Sequence, residues 1–213
     1  MEISRSGSST VYFTVGALLS WITIFLQLYL IIVNRTADVP ETIIRFFSFF
    51  TVLTNILVAV CFTSAMTLRQ NQVRFFSSAY VHSAVGVYIV VVGLVYNLVL
   101  RQLWAPTGLQ KIIDEFLHSV IPVVFLLHWF LFVHKVTLKW HYAILWLVYP
   151  FAYVIFILIR GRFSNFYPYP FVDVKNLGYN QVLINSLYLL VGFLILSVLL
   201  IAIGKTQKAE RIV

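Results

Sequence analysis

Charge is scarce in this chain. Only 10% of its 213 residues are Asp, Glu, Lys or Arg and 61% are hydrophobic, whereas soluble domains carry about 25% charged residues. Too few charges remain to clothe a water-exposed surface, which excludes a soluble globular domain. Acids are scarcest: seven Asp and Glu stand against fifteen Lys and Arg, a net charge of +8. In a soluble chain that surplus would point to nucleic acid. Here the basic residues sit at the ends of apolar runs and in loops, where lipid headgroups and topology call for them. No nucleic-acid partner is expected. The single cysteine, Cys61, excludes an internal disulfide. It lies in an apolar run, where packing is its simplest role. The sequence has no internal repeat, low-complexity region or soluble domain.

Long apolar runs take up most of the chain. Six of them fall near 10–33, 43–66, 79–102, 111–134, 141–160 and 178–204, each bounded by charge or turn residues and long enough to cross a bilayer. They predict an all-α polytopic membrane protein: a single bundle of six transmembrane helices over residues 1–213, in the cell membrane. The segment "MEISRSGSS" precedes the first run, which is too long for a signal-peptide core and reads as a retained anchor. With the N-terminus inside, eight Lys and Arg fall on the inner side and seven on the outer. This faint bias places both termini in the cytoplasm. Gly86 and Gly93 give the third helix one small-residue face, suited to close packing.

Alternation of an up-and-down bundle sorts the polar residues by depth. Gln27, Tyr96, Asn97 and Tyr153 come late in odd helices. Thr51, Asn55, Asp114, His118, Gln181 and Asn185 come early in even ones. All ten therefore share one half of the membrane. They must face one another or water, because unsatisfied polar groups are costly in hydrocarbon. Interhelical hydrogen bonding is one reading; a cavity open on that side is the other.

Five histidines are weighed separately. His82, His134 and His141 fall at the opposite face and read as interfacial. No HxxxH or HxxE pattern joins them, so no metal or cofactor is expected. His128 lies deeper and reads as packing. His118 differs. Asp114 precedes it by one helical turn, where its carboxylate is placed to fix the imidazole tautomer. Pro122 follows four residues later and removes the N–H that would meet the His118 carbonyl, predicting a kink and a free carbonyl there. A histidine so held is fit to be a general base; it is equally fit to be a paired residue stabilising the bundle. Thr51 lies at matching depth, on one stripe with Asn55. An adjacent base would activate a threonine hydroxyl, and Asn55 would donate to an oxyanion. Otherwise Thr51 bonds its own helix backbone.

The segments "RFFSFFTVLTN", "DEFLHSVIPV" and "LVYPFAYVIFILIRGRFSNFYPYPFVDV" resemble the Pr6Pr family of small six-helix bacterial membrane proteins. More distantly they are similar to the androgen-induced-gene-one and androgen-dependent TFPI-regulating proteins of animals, multi-pass hydrolases of fatty-acid esters of hydroxy fatty acids. That resemblance implies Thr51 as nucleophile and His118 as its histidine. It aligns "NFYPYPFVDV" with an aromatic-proline loop before the last helix. Where an acid is typical after the threonine, this chain has Thr54 or Asn55.

The expectation is a threonine/histidine-dependent hydrolase of fatty-acyl ester lipids, partnered by membrane lipids, with Thr51, His118 and Asp114 catalytic. Asn55, Tyr96 or Asn97 would hold the oxyanion. Tyr153 and Asn185 would line the substrate site, and Arg160 would meet a lipid carboxylate or phosphate unless it anchors at the interface. A small-solute transporter and a non-catalytic scaffold are the rival classes. The sequence has no pseudo-repeat and no matched pair of Gly/Pro-broken helices to favour transport.

Overall fold

The computed structural model describes residues 7–66 and 75–210, and every regular element in them is helical. Arg5, Arg69, Arg74 and Arg211, which enter the charge balance above, lie outside the described residues. In chain order the elements are α1 (Gly7–Val33), α2 (Val39–Phe46), α3 (Phe50–Met66), α4 (Ala79–Leu98), α5 (Gly108–Glu115), α6 (Ile121–Phe132), α7 (Tyr142–Leu145), α8 (Val148–Ser164) and α9 (Val174–Glu210). Among the described residues, five helical stretches are long and apolar enough to span a membrane, or six if the bent pair α2–α3 counts as one span. The fold is therefore an all-α polytopic bundle. Only helices satisfy every backbone group within a single segment in lipid.

The expected continuous helix over 43–66 is corrected. The chain breaks at Phe47–Phe49, and α2 and α3 meet at 68°. The Asp38 carboxylate caps α2 by accepting the Glu41 N–H (3.1 Å), and Pro40 stands in its first turn. Neither Gly nor Pro marks the break itself. Distant tyrosines hold it instead. The Tyr153 hydroxyl donates to the Ser48 carbonyl (2.8 Å), and the Tyr169 oxygen accepts the Thr51 N–H (3.1 Å). A helix end in the membrane needs such partners because water is not there to supply them.

The fourth span is also interrupted. Between α5 and α6 the residues Phe116–Val120 form a π-turn, in which the Ile121 N–H bonds the Phe116 carbonyl. This is the disturbance expected from Pro122, realised as a widened turn. The fifth span runs past Arg160 to Ser164. There Asn165, with φ 56°, ends it in the left-handed conformation that asparagine tolerates. The last helix starts at Val174, ahead of the expected 178, and is interrupted at Gly178, whose φ is 73°.

The core is apolar and aromatic: Phe13, Phe62, Ile89, Phe125, Trp129, Ile157 and Ile201 are all fully buried. Large apolar side chains also cover the outside, among them Val11, Leu18, Ile22 and Phe25 on α1 and Leu183, Leu187 and Ile195 on α9. A surface like that suits lipid. Gly93 brings α4 against the π-turn, since a Cβ there would lie 3.1 Å from the His118 carbonyl oxygen.

Candidate functional site

A chamber of about 510 Å³ opens between α1, the α2–α3 break, the end of α4, the α5–π-turn segment and the loop before α9. Its walls include Gln27, Thr51, Tyr96, Gln110, Asp114, His118 and Tyr169. Five of the ten residues assigned to one membrane half by alternation, Gln27, Thr51, Tyr96, Asp114 and His118, thus share one cavity.

Thr51 lies in the first turn of α3, at a helix start the sequence did not indicate. Its N–H has no partner within its own helix and is taken by Tyr169, whose hydroxyl also lies 3.3 Å from Thr51 Oγ1. Across the chamber, the His118 ring stacks on Tyr96 with centroids 3.9 Å apart and planes 10° apart. His118 Nδ1 is 2.8 Å from the Asp114 backbone carbonyl. A carbonyl only accepts, so Nδ1 carries the proton and Nε2 keeps its lone pair. Arg101 also packs against Tyr96, 5.3 Å from the ring centroid, and is paired with Glu115 at 2.6 Å.

The expected carboxylate–imidazole pair does not form. The Asp114 carboxylate instead accepts from Trp104 Nε1 (2.8 Å) and Gln110 Nε2 (3.0 Å), while Gln110 also donates to Gln27 Oε1 (2.9 Å). The main chain of Asp114 fixes the His118 tautomer because the i−4 carbonyl is nearer than the side chain on a helical turn.

Asn55 and Asn97, expected as oxyanion donors, have their side-chain amides engaged with backbone carbonyls at the π-turn. The π-turn gives the Ile121 N–H to Phe116, and Pro122 has none to give. The Leu117 and His118 carbonyls therefore lose their helical donors. Asn55 Nδ2 reaches the Leu117 carbonyl (3.3 Å) and the Thr51 carbonyl (2.8 Å). Asn97 Nδ2 reaches the His118 carbonyl (3.4 Å) and the Gly93 carbonyl (2.8 Å). Two amides from neighbouring helices thus complete the broken helix, and Asn55 ties the backbone of Thr51 to the turn carrying His118.

Three further residues stand apart from the chamber. Tyr153 holds the α2–α3 break. Asn185 donates to the Phe171 carbonyl (3.0 Å), pinning the aromatic-proline loop to α9. Arg160 donates to Glu41 (2.8 Å), Ser164 (2.8 Å) and the Phe166 carbonyl (3.3 Å). Its guanidinium fastens α2 to α8 rather than facing a lipid anion. His82 is not interfacial. It is fully buried, with Nδ1 2.8 Å from Nε2 of the equally buried His128. Sequence reasoning missed Tyr169, Trp104 and Gln110, although Tyr169 lies within the "NFYPYPFVDV" segment singled out above.

Comparison with families, curated proteins and solved structures returns no match for the chain.

Proposed function

We propose that the chamber hydrolyses fatty-acyl esters, with Thr51 as nucleophile and His118 Nε2 as general base. One observation carries this reading: Thr51 and His118 line the same cavity, and His118 commits its proton-bearing nitrogen to the Asp114 carbonyl. Nε2 is thereby left as the base. It takes the Thr51 proton as Oγ1 attacks the ester carbonyl, then returns that proton to the departing alcohol. Water, deprotonated by the same nitrogen, next attacks the acyl-threonine; the acyl–oxygen bond breaks, the fatty acid leaves, and Nε2 returns the proton to Thr51 Oγ1. The Tyr169 hydroxyl and the N-terminal end of α3 supply positive potential where the oxyanion forms. An apolar cleft of about 60 Å³ shares Thr51 and Tyr169 with the chamber and is lined by Val91, Val95, Leu189 and Phe193; it has room for no more than the first few carbons of an acyl chain. The likeness to Pr6Pr proteins and the animal hydrolases supports the same reading. Both termini are assigned to the cytoplasm, so the chamber opens on the outer side.

The purified protein should be labelled by a fluorophosphonate and should release fatty acid from ester lipids. Thr51→Ala should lose both activities. His118→Ala should lose turnover while melting as a folded bundle. Equal labelling and turnover in Thr51→Ala would overturn the assignment. Transport is the second reading, favoured by the α2–α3 break, since interrupted helices whose ends face a polar cavity form transporter sites. Solute uptake into proteoliposomes that persists in Thr51→Ala would select it.

A further inference from the structure

Among the described residues, the chamber wall carries one carboxylate and no Lys or Arg. Asp114 is buried in its wall, and both carboxylate oxygens are held by neutral donors, Trp104 Nε1 and Gln110 Nε2. Arg101, which is not part of the lining, is bonded to Glu115. His118 gives its ring proton to the Asp114 main chain rather than to the carboxylate. An intramembrane carboxylate without a cation is costly, and such groups ordinarily mark a ligand or ion path. Aromatic side chains contribute to the rest of the lining: Phe46, Phe49, Trp104 and Tyr169, besides Tyr96, whose ring is stacked on His118. Aromatic faces attract cations, and quaternary ammonium groups above all. The volume, about 510 Å³, lies within the roughly 300–1,000 Å³ range of small-molecule sites.

We infer that the chamber binds a substituted ammonium cation of the trimethylammonium type, with Asp114 as counter-ion and the aromatic walls around the methyl groups. A phospholipid headgroup and a free quaternary amine share this chemistry. The inference stands whether or not Thr51 is a nucleophile.

The test uses the full-length protein in nonionic detergent and radiolabelled choline as the probe. Saturable binding is expected, competed by tetramethylammonium and by glycerophosphocholine. The uncharged isostere 3,3-dimethylbutan-1-ol should compete at least tenfold less well. Asp114→Asn should weaken binding at least tenfold. Gln110→Lys should do the same without removing the carboxylate, because it brings a tethered ammonium to Asp114 in place of the Gln110 amide. Choline carries no ester, so its binding is read without turnover, which separates this site from the hydrolysis reading. In lipid nanodiscs, phosphatidylcholine blocking the probe where phosphatidylglycerol does not would identify the headgroup as the source. Equal binding in both would identify the free amine. The inference is overturned by an absence of saturable binding, by equal competition from the isostere, or by wild-type affinity in folded Gln110→Lys.

Discussion

Asn55 offers the sharpest test of how this bundle is built. Its side-chain NH₂ donates to the Thr51 and Leu117 carbonyls, the latter left without a helical donor by the π-turn and Pro122. Its own Oδ1 is buried without a partner. Asn55→Leu keeps the size and removes both donors. Orphaning the Leu117 carbonyl costs about 1–3 kcal/mol. Removing the unpartnered Oδ1 offsets part of that, so the net loss is about 1–2 kcal/mol. Asn55→Asp is nearly isosteric but turns the donor into an acceptor facing two carbonyls; an uncompensated buried charge costs about 3–5 kcal/mol. Stability should fall in the order wild type, Leu, Asp. Pro122→Ala restores an N–H to the turn, so the Ile121 N–H is free to return to Leu117. It should recover about 1 kcal/mol of the Asn55→Leu loss as a coupling energy. Cys61 is the only cysteine and is fully buried. A thiol-reactive dye therefore reports unfolding in detergent without engineering. Equal stability of the Asp and Leu variants, or strict additivity with Pro122→Ala, would refute the assignment of these two hydrogen bonds.

Other consequences follow from the same contacts. Glu41 accepts from Arg45 and Arg160, each at 2.8 Å, and the Arg160 side chain is only 9% exposed; Glu41→Gln should cost about 1–3 kcal/mol in dye-monitored melting, and added salt should destabilise wild type more than the variant. His82→Phe leaves His128 with no ring-nitrogen partner and should cost about 1–3 kcal/mol; because Phe13, Phe62 and Phe125 already surround His128, the His82→Phe/His128→Phe pair should melt above the sum of the single losses, and additivity would contradict the hydrogen bond. A Cβ on Gly161 would collide with the Tyr167 ring, so Gly161→Ala should displace the aromatic-proline loop at a cost of about 1–3 kcal/mol; an unchanged melting midpoint would show that the ring moves freely.

Apolar runs, their length and the scarcity of charge determined the class and the span count, because a bilayer accepts little besides helices with internally satisfied backbones. Alternation alone brought Gln27, Thr51, Tyr96, Asp114 and His118 to one depth, since depth in a short-looped bundle is a matter of counting. Pro122 announced trouble at His118 because a missing N–H is a local property of the chain. What the tertiary structure decided is where the lost hydrogen bonds went. Nothing near Phe47–Phe49 breaks a helix by propensity; the break is held by Tyr153 and Tyr169, roughly a hundred residues away in sequence. The carbonyls freed at the π-turn found Asn55 and Asn97, two residues whose sequence positions suit substrate contact equally well. Asp114 turned its carboxylate to Trp104 and Gln110 and gave only its main chain to His118. Arg160, an apparent lipid contact, was claimed by Glu41. A polar side chain in a membrane takes whichever partner packing brings within reach. Sequence spacing fixes the candidates on its own helix, and only the assembled bundle chooses among those on the others.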